Sequence, residues 1–489
     1  MLMTYPFNIS ANGGSPLYIR LASSMKTAIE TGCLLQGEMM PSSRELSKTL
    51  GISRDTIVKS YNELIKEGLI YTQAGGGTFV RAAGTAQDSV HNNALDLTPS
   101  SALSSFARGQ LRRRELFACS GDHSKINYGA MPNQFLPLGQ WKELLGRHLN
   151  KKDCQALDYD SEILGFRPLR EQIAMYLRRT QAVEASAEQV AIFNDSQNAI
   201  AILAQLLIDP GDRVAVENPG YGTAREVFRS YGAEVVDIDV DEEGMSVDAL
   251  AAEKGPFKLV YVSPAHHDPL GIKMSLPRRH KLLLWARQNC SYIVEDAFDG
   301  EFNLGQAATP SLFQMSEDNN VIFVYSFWKT LFPLISTGCL ILPADLIAAA
   351  TRLKRHTDRS SSMVERCALT DFLAEGRMER YLTKLKPILR GRRNALIYEL
   401  TRAFKTGIAI QKESGGLHFV AQFKIERTAK EIMAVAEECG LPLATTRNYY
   451  ASNPVANEFL VSFAVIEEAA AGPLVRQFAD AVLNKCDKR

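Results

Sequence analysis

At 489 residues the chain is too long for one compact domain, and ~150 residues per domain suggests two or three units. Its 46% hydrophobic and 22% charged residues are ordinary for a globular protein with a sizeable core, which argues against a disordered or fibrous chain. Lysines and arginines number 55 and acidic residues 55, so no chain-wide basic charge points to nucleic acid; any DNA contact must come from a local surface.

Eight cysteines (33, 119, 154, 290, 339, 367, 439 and 486) stand singly, with no CxxC and no Cys/His cluster of metal-ligand spacing, which argues against a zinc site. The N-terminal segment has no basic stretch followed by a long apolar run, and no run of ~18 apolar residues occurs. The expectation is a cytoplasmic chain without membrane contact, its thiols reduced.

Three amphipathic segments precede residue 68. Residues 17–31 place Leu17, Leu21, Met25, Ala28 and Ile29 at helical spacing before Gly32. A short helix over 43–50 buries Leu46 and Leu50 and stops at Gly51. A third over 53–67 starts at Ser53 as N-cap and aligns Ile57, Tyr61, Leu64 and Ile65 on one face before Gly68. Two helices joined by Gly51-Ile52-Ser53 have helix-turn-helix proportions. Residues 69–72 and 78–80 then read as strands of a hairpin, a wing, whose loop holds Gly75, Gly76 and Gly77.

In such a fold the second helix of the motif enters the major groove, and its first turn reaches base edges and phosphates. Arg54, Thr56 and Lys59 lie on that helix, and Ser42, Ser43 and Arg44 begin the helix before it. Hydroxyls, guanidinium groups and helix N-terminal amides suit phosphate oxygens. The wing glycines let backbone approach the duplex closely.

The run from Gly14 to Val80 resembles a GntR-family DNA-binding domain nearly end to end. PLY…IETG, MPSSRELSKTLGISRDTI and EGLIYTQAGGGTFV are its most specific pieces. The resemblance implies a double-stranded DNA operator as partner. Residues 1–81 are therefore expected to form a winged helix-turn-helix domain. Residues 82–125, rich in small polar residues and carrying Arg112-Arg113-Arg114, read as a linker.

Residues 126–489 alternate helices with short β-rich runs. Strands are expected at 190–193, 213–217, 233–237, 259–263, 292–295, 321–325 and 338–342, with helices at 196–207, 225–231 and 278–290 between them. Buried strands interleaved with helices indicate an α/β unit with a mostly parallel sheet. A long helical region at 345–380 leads into a smaller α+β unit from about residue 368, after a large part spanning about 126–367.

Two residues in this unit stand out. Asp296 ends an apolar strand, and Lys329 follows another one 33 residues later, a separation that fits one strand-helix-strand excursion. Ligands bind at the carboxyl edge of such sheets. A carboxylate there can keep a pyridine nitrogen protonated while a lysine condenses with an aldehyde.

At these residues the chain resembles the MocR/GabR subfamily, GntR-type winged helices fused to a fold-type I aminotransferase-like domain. LLIDPGDRVAVENPGYGTAREVF, VSPAHHDPLG, VEDAFDGEF, SFWKTLFP and GGLHFV carry the likeness. It implies pyridoxal 5'-phosphate as cofactor, with Lys329 bound to its aldehyde carbon, Asp296 at the pyridine nitrogen and Tyr221 beside the ring. Ser196, Gln197 and Ser326 fall where the family gathers groups around the phosphate. A homodimer and a small-molecule effector, an amine or amino acid, are also implied.

The chain departs from that family at several positions. Seven residues after the lysine, where the family holds the phosphate with arginine, stands Ser336; a small residue before Ser196 is replaced by Asp195. Phe298 replaces a tyrosine, Trp328 a serine, and His267-Asp268 a glutamine-aromatic pair. Leu460 stands where aminotransferases place a carboxylate-clamping arginine, and Thr223 where a related regulator has another anion-binding arginine, with Arg225 close by. The expected function is a ligand-responsive, DNA-binding transcription regulator whose aminotransferase-like unit senses pyridoxal phosphate or an amine-bearing metabolite. The alternatives are a catalytic aminotransferase, or a cofactor-free regulator using the old pocket for dimerisation.

Overall fold

The computed structural model describes residues 16–30, 40–67, 69–73, 77–80, 103–104, 106–107, 131–149, 163–304, 309–358, 362–411 and 416–484. Two compact units divide the chain, Met1–Leu103 and Ser104–Arg489. The expected linker and its arginine cluster lie almost wholly outside the described residues.

In the first unit, helices α1 (Leu17–Glu30), α2 (Ser43–Leu50) and α3 (Arg54–Lys66) precede a hairpin of β1 (Ile70–Gln73) and β2 (Gly77–Val80). Apolar residues at helical spacing on all three helices converge with Ile70 and Val80 on one small core: Leu21, Met25, Leu46, Ile57 and Leu64. Local chemistry sets the helix ends. The Ser42 hydroxyl accepts from the Glu45 amide and the Ser53 hydroxyl from the Thr56 amide, each satisfying an orphan N–H of a first turn. Gly51 closes α2 in the left-handed region at φ +65, where a side chain would be strained. The Tyr61 hydroxyl donates to the Pro41 carbonyl at 2.7 Å, tying α3 to the segment before α2.

The second unit is built on an eight-stranded sheet in the order β3-β10-β9-β8-β7-β4-β5-β6. In chain order these are β3 (Val190–Phe193), β4 (Arg213–Asn218), β5 (Glu234–Asp241), β6 (Gly244–Met245), β7 (Leu259–Val262), β8 (Tyr292–Asp296), β9 (Val321–Ser326) and β10 (Gly338–Ile341). Strands β5, β4, β7, β8 and β9 run parallel; β10 is antiparallel to both β9 and β3. Strands β3, β7, β9 and β10 are buried throughout, as a sheet covered on both faces requires.

The carboxyl ends of β3, β4, β7, β8 and β9, together with the amino end of β10, share one sheet edge. Helix α4 (Ser196–Leu207) starts there after β3, α5 (Gly222–Ser230) after β4 and the short α6 (Trp328–Leu331) after β9. A smaller antiparallel sheet, β11-β12-β14-β13, follows the long helix α7 (Arg377–Phe404). Its strands are β11 (Ile408–Ile410), β12 (His418–Phe423), β13 (Leu443–Thr445) and β14 (Glu458–Ser462). Phe419, Phe423 and Phe459 of this sheet join the core that also holds Phe323 and Leu389.

The strands and helices expected from the sequence are present, with ends displaced by a few residues. The long helical region at 345–380 consists of three helices, Ala344–Thr357, Met363–Ala374 and α7, parted where Asp358 turns extended and Gly376 adopts φ +65.

Gly338 shows how tightly the site edge is packed. A Cβ there would sit 2.5 Å from the Asp195 carbonyl carbon and 2.6 Å from the Ser196 nitrogen, both backbone atoms. Gly338→Ala is therefore expected to destabilise the second unit by about 1–3 kcal/mol. Thermal unfolding followed by tryptophan fluorescence checks this; an unchanged midpoint would show that the Asp195–Ser196 turn yields freely.

Candidate functional site

On the first unit, Ser43 opens α2 and Arg54 opens α3, and the Arg54 Nε donates to the Ser43 hydroxyl at 3.3 Å. Arg54 and Lys59 are exposed. The Thr56 hydroxyl lies 2.8 Å from that of Ser53, and Ser42 is engaged as N-cap, which leaves its O–H proton to donate. Arg44 lies within α2 and Gly77 opens β2 opposite Gln73. The Arg44 side chain and residues Gly75 and Gly76 lie outside the described residues. The first turns of two capped helices thus bring hydroxyls and an exposed guanidinium together, a grouping that suits phosphate and base-edge acceptors.

On the second unit, the sheet edge opens into a cavity of about 390 Å³. All six residues expected at the cofactor line it: Lys329, Asp296, Tyr221, Ser196, Gln197 and Ser326. The altered positions Asp195, Asp268, Phe298, Trp328, Ser336 and Leu460 line it too, and the smaller sheet adds His418, with Tyr449 nearby in sequence to β13.

The pair at its centre has distinct surroundings. The Lys329 ammonium sits 4.2 Å from the centroid of the Phe298 ring, within cation–π range. Asp296 is 5% exposed; one carboxylate oxygen accepts from the Tyr261 hydroxyl, while Oδ1 is buried without a partner. Burial pushes the Asp296 carboxyl up to about 7; the Tyr261 hydroxyl and Lys329 oppose the push, and the neighbouring Asp268 and Asp299 add to it. Burial likewise raises Asp268 to about 6, with Lys329 pulling it down. Asp299 behaves oppositely. Despite burial it lies below the usual carboxylate range, because the His266 ring stands 3.0 Å from one oxygen.

Around them the cavity wall is fixed by hydrogen bonds. Gln197 donates to the Tyr221 hydroxyl at 3.2 Å, and the Trp328 amide donates to the Ser326 hydroxyl. His418 places Nε2 3.1 Å from the Pro269 carbonyl, so that nitrogen carries the proton. Burial drives its pKa down to about 4, leaving Nδ1 a neutral acceptor, and that atom is buried without a partner.

Residues 133–471 match the family Aminotransferase class I and II, and residues 17–80 match Bacterial regulatory proteins, gntR family. The chain belongs to the class I and II aminotransferase family, with a GntR domain ahead of it. That order of domains is the one implied by the resemblance to MocR/GabR regulators. The chain is 27% identical over 456 residues to a Rhizobium meliloti protein named "Probable rhizopine catabolism regulatory protein MocR", covering 92% of this chain and 91% of that one. It is 29% identical over 417 residues to the HTH-type transcriptional regulator TauR of Rhodobacter capsulatus, covering 84% of each chain. Among solved structures, the α-aminoadipate aminotransferase LysN of Thermus thermophilus shares the fold at TM-score 0.65 and 24% identity, covering 73% of this chain and 91% of that one. A regulator fits these relatives better than a free-standing aminotransferase does.

The class I and II aminotransferase family generally binds pyridoxal phosphate, and the cavity fits one end of that molecule. Asp296, with a buried oxygen lacking a donor, suits a protonated ring nitrogen, and Lys329 and Tyr221 share the cavity with it. The other end does not fit. The Asp195 carboxylate accepts from the Asn198 amide at 2.7 Å and so occupies the N-terminus of α4, where a phosphate would be held. Ser336 supplies no positive charge, and among the described residues lining the cavity Lys329 is the one lysine or arginine. The residues thus accommodate a pyridoxal-type ring and do not accommodate its phosphate.

Arg225 is a structural residue. It is 5% exposed, its Nε donates to Asp237 at 2.7 Å and its Nη2 to the Glu217 carbonyl, so it is not available to clamp a ligand anion. Residues that sequence reasoning passed over are Tyr261, His266 and Asp299. Tyr261 sits in a strand with no polar alternation to mark it, and its partner Asp296 belongs to the next strand in the sheet.

Proposed function

We propose that the chain is a ligand-responsive transcription regulator in which the first unit binds operator DNA and the aminotransferase-like unit serves as sensor. The observation that carries the sensor reading is the lining of the Lys329 cavity. It keeps the lysine and Asp296 but has Leu460 and Ser336 where the family has anion-binding arginines, and Asp195 where it has a small residue. Without a carboxylate clamp, an amino acid substrate is not held in the orientation that transamination requires.

The α2–α3 motif reads the major groove through Arg54, Thr56 and Lys59, with Ser42, Ser43 and Arg44 on the backbone and the wing glycines Gly75, Gly76 and Gly77 beside it. A homodimer, the arrangement implied by the family resemblance, presents two such motifs to a repeated or two-fold operator. The cavity ligand alters operator affinity to the extent that it binds two arrangements of the protein unequally. Such a protein works where its DNA is, in the cytoplasm.

An assay of amino donors with 2-oxo acids and added pyridoxal phosphate tests the sensor reading. Turnover no faster than that of Lys329→Ala is expected. Steady turnover that disappears in Lys329→Ala would make the unit an enzyme.

A further inference from the structure

Two side-chain atoms on residues lining the Lys329 cavity are buried without hydrogen-bond partners, and both are acceptors: Asp296 Oδ1 and His418 Nδ1. Their residues are 5% and 6% exposed, and each has its other polar atom committed, to Tyr261 and to the Pro269 carbonyl. A buried acceptor left unpaired is costly, so the cavity is complementary to a ligand that brings N–H donors. Its charge points the same way. Asp195, Asp268 and Asp296 line it against Lys329 alone among lysines and arginines of the described residues. Tyr221, Phe298 and Trp328 add aromatic surface, which attracts cations.

We propose that this cavity selects a small organic cation bearing protonated nitrogen and neither phosphate nor carboxylate. Its N–H groups donate to Asp296 Oδ1 and His418 Nδ1, and Asp195 repels anionic groups from the N-terminus of α4. The inference deepens the sensor reading and rests on it for its biological meaning. Two kinds of compound share this chemistry, an aminomethyl-pyridine such as pyridoxamine and an aliphatic diamine such as butane-1,4-diamine. A bound cation also offsets the burial and the Asp299 charge that together raise Asp268 and Asp296.

Isothermal titration of the full chain, without DNA, with pyridoxamine, butane-1,4-diamine and pyridoxal phosphate tests this. At least one of the two amines is expected to bind tenfold or more tightly than pyridoxal phosphate, and which of them does so identifies the source. Pyridoxal phosphate binding as tightly as the better amine, or no binding of either amine, overturns the proposal. Asp195→Asn keeps an N-cap while removing the charge, so α4 stays capped. Combined with Ser336→Arg it is expected to reverse the order of affinities in favour of pyridoxal phosphate. An unchanged order in that folded variant, checked by circular dichroism, also overturns it. Because no DNA is present, failure here leaves operator binding, tested separately, untouched.

Discussion

Arg54→Ala is expected to lower the affinity of the full chain for its operator by about tenfold to a hundredfold, the range for losing one base-reading or close phosphate contact. Arg54 is exposed at the first residue of α3, and its Nε donates to the hydroxyl of the half-buried Ser43. The cap of α3 belongs to Ser53, so the substitution removes a donor without removing the helix signal. The core of this unit, from Leu21 to Val80, contains no atom of Arg54. Fluorescence anisotropy at fixed salt, with DNA selected by the protein from a random pool, measures the loss. If Arg54 contacts a phosphate, the salt dependence also falls by about one counterion. An unchanged affinity would remove α3 from the groove.

The second large effect concerns Asp296→Asn and its pH dependence. The folded value of about 7 lies above that of an unfolded aspartate, about 3.9. A raised value means the folded state prefers the protonated carboxyl, so that contribution to stability is complete below about pH 4 and lost as pH rises through 7. Asparagine resembles the protonated form and can still accept from the Tyr261 hydroxyl. The variant is therefore expected to be more stable than the parent at pH 8, by on the order of 2–4 kcal/mol. The difference should shrink steadily toward pH 5. Denaturant unfolding of the ligand-free protein at the two pH values reads it out, and a difference independent of pH would show that Asp296 carries no buried charge.

Much of the fold was legible in local pattern. The three N-terminal helices declared themselves through Ser53, Gly51 and the spacing of Leu21, Met25, Ile57 and Leu64, since caps and apolar periodicity act within a few residues. The sheet strands were legible because doubly covered strands are short apolar runs. Lys329 and Asp296 were legible as strand-end residues, and the cavity gathers both. What was not legible depends on contacts between distant segments. His418 and Tyr449 reach the cavity from the smaller sheet and its connections, and no periodicity links them to β8. Arg225 lay near the right place in the sequence, yet its guanidinium is spent on Asp237 and the Glu217 carbonyl. The repulsive meaning of Asp195 was visible as chemistry, whereas its role as cap of α4 required the geometry of the turn.

Action of this aminotransferase-family chain on DNA is measured directly by the affinity of the full chain for its selected sequence against a scrambled duplex of equal length at physiological salt. Binding tighter by roughly a thousandfold or more is expected, the usual margin for a specific DNA-binding protein. Equal affinity for the two duplexes would contradict it.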